Sequence, residues 1–294
     1  MRILVTGATG LLGYDLCKEL LLTDNEIYGC SLREKNNILP ENNFLNFDIT
    51  DNKQTYEIIS KINPDVVIHT SAYSDVDGCE KTPQIAYKIN SIGTRNICIA
   101  CQRFDTVMCY ISTDYVFDGK NTPVDGYNEF DVPNPLSVYA KTKYYGELYV
   151  KHLLNKFFIV RVAWLYGNKR KNFIRNAIEN IKTSSEIKVV EDQKGCCTYT
   201  KDLSKAIISL INSQLYGIYH ITNSEGATRK EILEYIFNIL GKRTVIKTVK
   251  RKEIFIAERP FDSTLNNFVW KLNNFKPLRS WKEAIKEYLN EFSY

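Results

Sequence analysis

Long hydrophobic runs are missing from this chain of 294 residues. No apolar stretch approaches the roughly 20 residues that a membrane-spanning helix needs. The first residues, 1–5, lead straight into a glycine-rich loop, with no region that resembles a signal-peptide cleavage site. We therefore expect a cytoplasmic protein that binds no membrane. With only 14 Gly and 8 Pro, the composition also excludes collagen-like, low-complexity and largely disordered proteins.

A concentrated basic surface and a metal-binding cysteine pattern are missing too. Lys and Arg outnumber Asp and Glu by 39 to 34, but the basic residues are scattered apart from short runs such as 169–171 and 250–252. This distribution predicts no nucleic-acid partner. Of the 8 cysteines, Cys98 and Cys101 form a CxxC pair, yet no second pair follows at the spacing of a zinc site. We expect reduced structural thiols and no metal.

The first half of the chain alternates apolar, β-rich runs with amphipathic stretches at helical spacing. The predicted strands are 3–6, 26–31, 65–69, 106–112 and 157–162. The predicted helices are 11–22, 53–62, 85–104 and 139–154. Repeated strand–helix units at this spacing predict an α/β fold with a doubly wound parallel sheet of the Rossmann type.

A glycine-rich loop, Gly-Ala-Thr-Gly-Leu-Leu-Gly at 7–13, follows the first strand directly and opens the first helix. In this context, backbone N–H groups and a helix N-terminus converge on a pyrophosphate. Strand, loop, helix and position agree, so the pattern predicts dinucleotide binding. The predicted contacts are Gly7, Thr9, Gly10, Leu11, Leu12 and Gly13.

The end of the second strand bears on which dinucleotide is bound. Ser31 takes the position where an acidic residue usually binds the ribose of NAD, and Arg33 follows as a partner for the 2′-phosphate of NADP. NADPH is therefore the predicted cofactor. NADH stays the alternative, because Glu34 accepts from the ribose if the loop bends another way. Further cofactor contacts are predicted after the third and fourth strands, at Asp48, Ile49, Ser71, Ala72 and Tyr73.

The regular alternation of predicted strands and helices ends after about Trp164. Helices are predicted at 172–183, 200–212, 229–240 and 281–292, separated by shorter, irregular segments. We predict an NAD(P)-binding domain at 1–163 with a return segment near 196–222. Residues 164–195 and 223–294 are predicted to form a smaller, mostly helical substrate-binding lobe.

A tyrosine and a lysine four residues apart, Tyr139 and Lys143, share one face of a predicted helix. A nearby ammonium lowers the pKa of a phenol, so Tyr139 is predicted to give a proton to a carbonyl oxygen as hydride arrives at carbon. Both residues are also predicted to contact the cofactor. The spacing alone is weak evidence, but Thr113 ends a strand at the carboxyl edge of the sheet and can hydrogen-bond the same oxygen. The combination indicates a carbonyl reductase.

These motifs carry a family resemblance. The segments 7–13, 112–117 and 139–143 together resemble the extended short-chain dehydrogenase/reductases. Within that group, the segments 76–80, 135–139, 161–167, 192–195 and 258–260 resemble the dTDP-4-dehydrorhamnose reductase family. The resemblance spans nearly the whole chain.

The resemblance implies an activity and a set of residues. Thr113, Tyr139 and Lys143 would be the catalytic group, and Tyr115 and Trp164 would lie against the sugar. On the nucleotide side of the substrate it implies Asn172, Gln193 and Arg259. The implied reaction is NAD(P)H-dependent reduction of the C4 keto group of a nucleotide-linked 4-keto-6-deoxyhexose, for deoxysugar and surface-glycan biosynthesis.

Two other functions fit parts of the same pattern. The regulatory subunit of methionine adenosyltransferase shares the fold, NADP binding and a stretch like 114–119, but works by holding a partner protein. Bifunctional epimerase/reductases on UDP- or GDP-sugars use acid/base residues near the position of Cys79. The complete set of Trp164, Gln193 and Arg259 favours the reductase. A homodimer is the default oligomeric state.

Overall fold

The computed structural model describes residues 1–32, 38–181 and 186–291. Its strands are β1 (Arg2–Thr6), β2 (Glu26–Ser31), β3 (Phe44–Asn46), β4 (Val66–His69), β5 (Val107–Thr113), β6 (Phe157–Val162), β7 (Leu165–Tyr166), β8 (Glu186–Val190), β9 (Lys194–Gly195), β10 (Thr198–Tyr199), β11 (Gly217–His220), β12 (Ala227–Thr228) and β13 (Val245–Val249). Its α-helices are α1 (Leu11–Leu20), α2 (Asn52–Ile62), α3 (Val76–Lys81), α4 (Pro83–Ala86), α5 (Thr94–Arg103), α6 (Val138–Leu153), α7 (Phe173–Ile181), α8 (Thr200–Ile211), α9 (Arg229–Ile239), α10 (Arg251–Ile254), α11 (Phe268–Leu272) and α12 (Trp281–Glu291).

The main sheet has 7 strands in the order β11-β6-β5-β4-β1-β2-β3. All neighbouring pairs in it are parallel. The strand order reverses between β1 and β4, which opens a crevice at the carboxyl ends of these strands. In open α/β sheets this is where ligands bind.

Side chains of each strand alternate between two apolar cores, one on each face of the sheet. In β1, Ile3 and Val5 pack with residues of α1 and α8, such as Leu16 and Ile207. Leu4 points the other way and packs among residues of α2, α5 and α6. Helices therefore cover both faces, and the predicted doubly wound α/β fold is confirmed.

A third apolar cluster lies outside the main sheet. It joins α7, α9 and α12 to β8 and β10 through side chains such as Ile178, Val189, Ile236 and Ile285. The chain returns to the main sheet at α8 and β11, and β11 pairs with β6. Trp270 of α11 packs in the core that contains Ile3 and Val5, although it lies far along the chain.

The predicted helix at 85–104 is helical in the structure but not uniform. A π-helical segment, Tyr87–Gly93, separates α4 from α5. No helix of the described residues is both long enough and apolar enough to cross a membrane. All 8 cysteines are buried and carry free thiols.

Candidate active site

A cavity of 810 Å³ lies at the carboxyl ends of β1, β4 and β5. Its wall runs from the glycine loop after β1 to the segment that follows β6 and the start of α9. Of the residues predicted to bind cofactor, it is lined by Gly7, Thr9, Gly10, Leu11, Leu12, Ser31, Asp48, Ile49, Ser71 and Ala72. Of the predicted catalytic and substrate residues, it is lined by Thr113, Tyr139, Lys143, Trp164 and Asn172.

The glycine loop has the close backbone packing that a pyrophosphate site needs. Gly7 has a φ of +70°, and a Cβ there would lie 2.9 Å from the backbone nitrogen of Ser71. A Cβ on Gly13 would collide with the carbonyl group of Gly7, so α1 starts directly against the loop. No side chain of the described residues caps the N-terminus of α1. Its backbone N–H groups at the cavity wall suit an anionic phosphate group.

The end of β2 forms one part of the cavity wall. Ser31 ends β2, and its hydroxyl lies 2.8 Å from the hydroxyl of Thr9. Arg33, predicted to contact the 2′-phosphate, lies outside the described residues.

Two further predicted cofactor residues, Gly13 and Tyr73, do not line the cavity. Gly13 is buried under the loop, and the backbone N–H of Tyr73 donates to the side chain of Asn90 at 2.7 Å.

Thr113 and the Tyr139/Lys143 pair come together from two elements. Thr113 is the last residue of β5, and its hydroxyl accepts from the backbone N–H of Tyr115 at 3.2 Å. Tyr139 and Lys143 lie one turn apart at the start of α6, whose N-cap Ser137 accepts from the N–H of Ala140 at 3.2 Å. This cap fixes where the helix begins and therefore where both side chains enter the cavity.

Burial shifts the pKa values of Tyr139 and Lys143 in opposite directions. It raises the pKa of Tyr139 well above its ordinary value, with a hydrogen bond to Thr113 acting the other way. It lowers the pKa of Lys143 to about 7, which the charge of Glu147 opposes. The predicted lowering of the tyrosine pKa by the lysine was therefore wrong for the protein alone. A buried ammonium is itself destabilised, so it is a weak source of positive charge for its neighbour.

Lys143 lies over an aromatic ring and next to a buried ion pair. Its Nζ is 4.1 Å from the ring centroid of Tyr110, whose hydroxyl donates to the Lys143 carbonyl at 3.1 Å. One turn further along α6, Glu147 accepts two hydrogen bonds from Arg161 at 2.9 and 2.8 Å, and one from Ser112 at 2.5 Å. Sequence reasoning missed this network. An arginine inside an apolar strand was the available signal.

The π-helical segment ties α6 to the loop after β4. The side chain of Asn90 accepts from the Tyr73 N–H and donates to the hydroxyl of Thr142 at 3.0 Å. Ser91 adds a hydrogen bond from its hydroxyl to the Thr142 carbonyl at 3.0 Å. These contacts anchor the helix that carries Tyr139 and Lys143. Such segments often occur at functional sites.

The residues implied for the substrate fall into two groups. Trp164, with a φ of +39°, and Asn172 lie on the cavity wall. Tyr115 and Gln193 are buried behind that wall, and the Gln193 amide donates to the Tyr115 hydroxyl at 2.9 Å. The Tyr115 ring stands edge-on to that of Tyr139, with centroids 6.3 Å apart. These two residues support the wall and Tyr139 from behind.

Arg259 is engaged elsewhere. Its guanidinium donates to both carboxylate oxygens of Asp77, at 3.0 and 3.3 Å. It also lies 3.5 Å from the ring centroid of Phe255. In the described part of the chain, Arg259 does not reach the cavity wall.

Asp114 and Arg229 also line the wall, although the sequence did not predict them as site residues. Asp114 follows Thr113, accepts from the Ser263 hydroxyl at 2.5 Å, and has its pKa raised to about 7 by burial, against the effect of that hydrogen bond. Arg229 begins α9, and its Nε donates to the Gln193 side chain at 2.9 Å. Asp114 lay inside a motif already singled out. No local pattern distinguished Arg229 from other helix-start residues.

Cys79 is not part of the cavity wall. Cys79 is fully buried, its thiol donates to the Tyr73 carbonyl at 3.4 Å, and burial raises its pKa to about 12. Because it lies away from the cavity, nothing in its surroundings favours an acid/base role.

The described residues hold no group of three or more His, Cys, Asp or Glu that suits a metal ion.

Comparison with known proteins identifies the family. The model of the RmlD substrate binding domain family matches residues 1–294. The chain belongs to this family. The resemblance predicted from the sequence is thereby confirmed.

Three relatives illustrate this membership. The chain is 34% identical over 293 residues to the spore coat polysaccharide biosynthesis protein SpsK of Bacillus subtilis, covering 99% of this chain and 98% of that protein. It is 33% identical over 294 residues to the dTDP-4-dehydrorhamnose reductase of Streptomyces griseus, covering 97% and 92%. The crystal structure of the Bacillus anthracis dTDP-4-dehydrorhamnose reductase with NADP superposes with a TM-score of 0.90 at 37% identity, covering 99% of both chains.

Proposed function

We propose that this protein reduces the C4 keto group of a nucleotide-linked 4-keto-6-deoxyhexose with NADPH, in deoxysugar biosynthesis. One observation carries the proposal: a single cavity runs from the glycine loop, past Thr113, Tyr139 and Lys143, to Trp164. Cofactor and sugar sites at its two ends would therefore meet at the catalytic group. Relatives along nearly the whole chain are named as reductases of such sugars, and the chain is an oxidoreductase of this kind.

The residues at the cofactor end suit NADPH. Backbone N–H groups of the glycine loop and the start of α1 would hold the pyrophosphate, and Ser31 would contact the adenosine ribose. Asp48 and Ile49 would flank the adenine, while Ser71, Ala72 and Lys143 would lie on the nicotinamide side. When bound, NADPH supplies the hydride.

Residues of this chain would donate the proton and position the reacting groups. Tyr139 is a neutral phenol at pH 7, and burial raises its pKa further, so its hydroxyl would carry the proton for the C4 oxygen. The Thr113 hydroxyl, which donates to the Asp114 carboxylate at 3.2 Å in the structure, would turn to donate to the same oxygen and polarise the carbonyl group. Lys143 would hold the ribose next to the nicotinamide. Trp164 covers one side of the sugar, and Asn172 lies toward the nucleotide.

The nucleotide and the sugar stereochemistry are the finer part of the proposal. Several relatives carry dTDP in their names, which favours a dTDP-linked substrate. The position of Cys79 away from the cavity gives no support to an added epimerase activity. Cytoplasmic location and a homodimer stay predictions from the sequence.

The decisive experiment follows NADPH oxidation with purified protein and a panel of dTDP-, UDP- and GDP-linked 4-keto-6-deoxyhexoses made in situ by matching dehydratases. We expect Tyr139→Phe to lower kcat by about 10²- to 10⁴-fold, because it removes only the proton donor. Tyr145→Phe makes the same change on the exposed side of α6 and should retain the wild-type rate.

Full activity of the Tyr139→Phe variant would refute its assignment as the acid. If NADPH binds but no sugar is reduced, the partner-holding function of the methionine adenosyltransferase regulatory subunit becomes the leading hypothesis. Recovery of a stoichiometric partner enzyme by a pull-down would then support it.

A further inference from the structure

Arg229 places a positive charge at the substrate end of the cavity. It is the first residue of α9, where Thr228 and Glu231 form a reciprocal capping box. The antiparallel pairing of β12 with β9 brings this helix start next to Gln193. The side chain then extends along the cavity wall between two aromatic rings, with its guanidinium carbon 4.5 Å from the ring centroid of Trp164 and 4.6 Å from that of Phe173.

The partners of this guanidinium are neutral. Its Nε donates to the Gln193 amide oxygen at 2.9 Å. No carboxylate of the described residues lies within ion-pair distance of Arg229. Burial lowers the pKa of Arg229 most, the charge of nearby Arg259 adds to this, and Tyr115 and the Asp114 carboxylate, which lies beyond ion-pair distance, act the other way. A partly buried cation that forms no ion pair and lies near a second cation is costly unless a ligand supplies further negative charge.

The geometry also leaves donors available. A guanidinium has five N–H groups, and Gln193 engages one of them. The rings of Trp164 and Phe173 hold the side chain in place, which reduces the conformational entropy lost when an anion binds. Planar bidentate recognition of phosphate oxygens is what an arginine so held does best.

We propose that Arg229 binds the diphosphate of the nucleotide-sugar substrate. This inference rests on the proposed function, because it takes the substrate to be a nucleoside diphosphate sugar. Arg259, implied for the nucleotide side by the family resemblance, is held by both oxygens of Asp77 and lies off the wall. Arg229 lies on the wall beside Trp164, which is implied to contact the sugar. It would therefore bind the diphosphate next to the sugar.

The test compares ligands with and without phosphate. With NADP⁺ bound, the affinity of dTDP is measured by calorimetry and that of thymidine by ligand-detected NMR, for the wild type, Arg229→Gln and Lys230→Gln. Lys230 is the next residue of α9 and forms a half-exposed surface pair with Glu234. The Lys230→Gln variant therefore loses the same charge outside the cavity.

We expect Arg229→Gln to weaken dTDP binding by about 10- to 100-fold, the range for losing hydrogen bonds to a charged group. Thymidine binding should change less than twofold, and Lys230→Gln should resemble the wild type. The affinity of the Arg229→Gln variant for dTDP should also fall less steeply with salt. An unchanged dTDP affinity, or equal losses for dTDP and thymidine, would overturn the proposal.

Two further measurements keep the result unambiguous. Unchanged NADP⁺ affinity shows that the Arg229→Gln variant is folded. If that variant fails to fold, Arg229→Lys replaces it, and an undiminished dTDP affinity there contradicts bidentate binding. Because these experiments measure binding, they separate Arg229 from the reaction itself. A protein that reduces no sugar but binds dTDP through Arg229 refutes only the proposed function.

Discussion

Burial acts on Tyr139 and Lys143 through the same physical effect, with opposite consequences for charge. Removing water disfavours the charged form of each group, so the phenol keeps its proton and the ammonium gives its proton up more easily. The acid of the proposed reaction is therefore loaded at neutral pH. The charge of Lys143 depends on what lies next to it, and bound anionic groups of the cofactor would favour the protonated form.

Cofactor affinity should accordingly depend on pH. The pKa of Lys143 is lowered from 10.5 to about 7, so the side chain loses its proton as the pH rises through 7. Between pH 6 and pH 8.5 we expect NADPH binding to weaken by about 3- to 10-fold, since a charged donor is lost. Fluorescence titration of NADPH measures this change.

Lys143→Met should flatten this pH profile. Lys141→Met removes an exposed lysine from the same helix and should leave the profile as it is. Identical pH profiles for the wild type and the Lys143→Met variant would show that another group is responsible.

At the scale of elements, helix α1 is positioned by contact between backbones. Gly13 lies against the Gly7 carbonyl, so the helix N-terminus reaches the cavity wall without an intervening side chain. The sequence predicted this strand–loop–helix unit because its signals are local. It did not predict the π-helical segment at Tyr87–Gly93, since apolar spacing hardly distinguishes one helical hydrogen-bond pattern from another.

Gly13→Ala should separate α1 from the loop. We expect a loss of stability of about 1 to 3 kcal/mol, typical of overpacking, together with NADPH binding weakened by at least about tenfold. Thermal unfolding with and without NADPH measures both effects. Lys18→Ala, on the exposed side of α1, is the matched control. A Gly13→Ala variant with wild-type stability and affinity would mean that the loop tolerates the displacement.

At the scale of the whole molecule, Asp77 joins parts of the chain that lie 180 residues apart. It accepts hydrogen bonds from the backbone of Ile256 and Ala257 and from the Arg259 side chain. Burial opposes the charge of Asp77, but these donors lower its pKa overall. The contact is therefore present at neutral pH and is lost only as the pH falls through the lowered pKa.

Asp77→Asn should loosen the segment around α10. The neutral amide keeps one acceptor oxygen but loses the ion pair with Arg259. Because the segment is then held less firmly, we expect trypsin to cleave at 250–252 several times faster than in the wild type. Gel electrophoresis of timed digests measures this rate, and Asp24→Asn, on an exposed turn, serves as control. Equal digestion rates for the wild type and the Asp77→Asn variant would show that other contacts hold the segment.

The sequence determined the alternation of strands and helices, the glycine loop, and the positions of Thr113, Tyr139 and Lys143, because each depends on residues close together in the chain. Only the tertiary structure decided which charged groups meet. Arg161 pairs with Glu147, Arg259 is held by Asp77, and Arg229 lines the cavity without an ion pair to any carboxylate in the described part of the chain. Burial and distance between remote segments set both the pairing and the pKa of each group, and neither can be read from the order of residues.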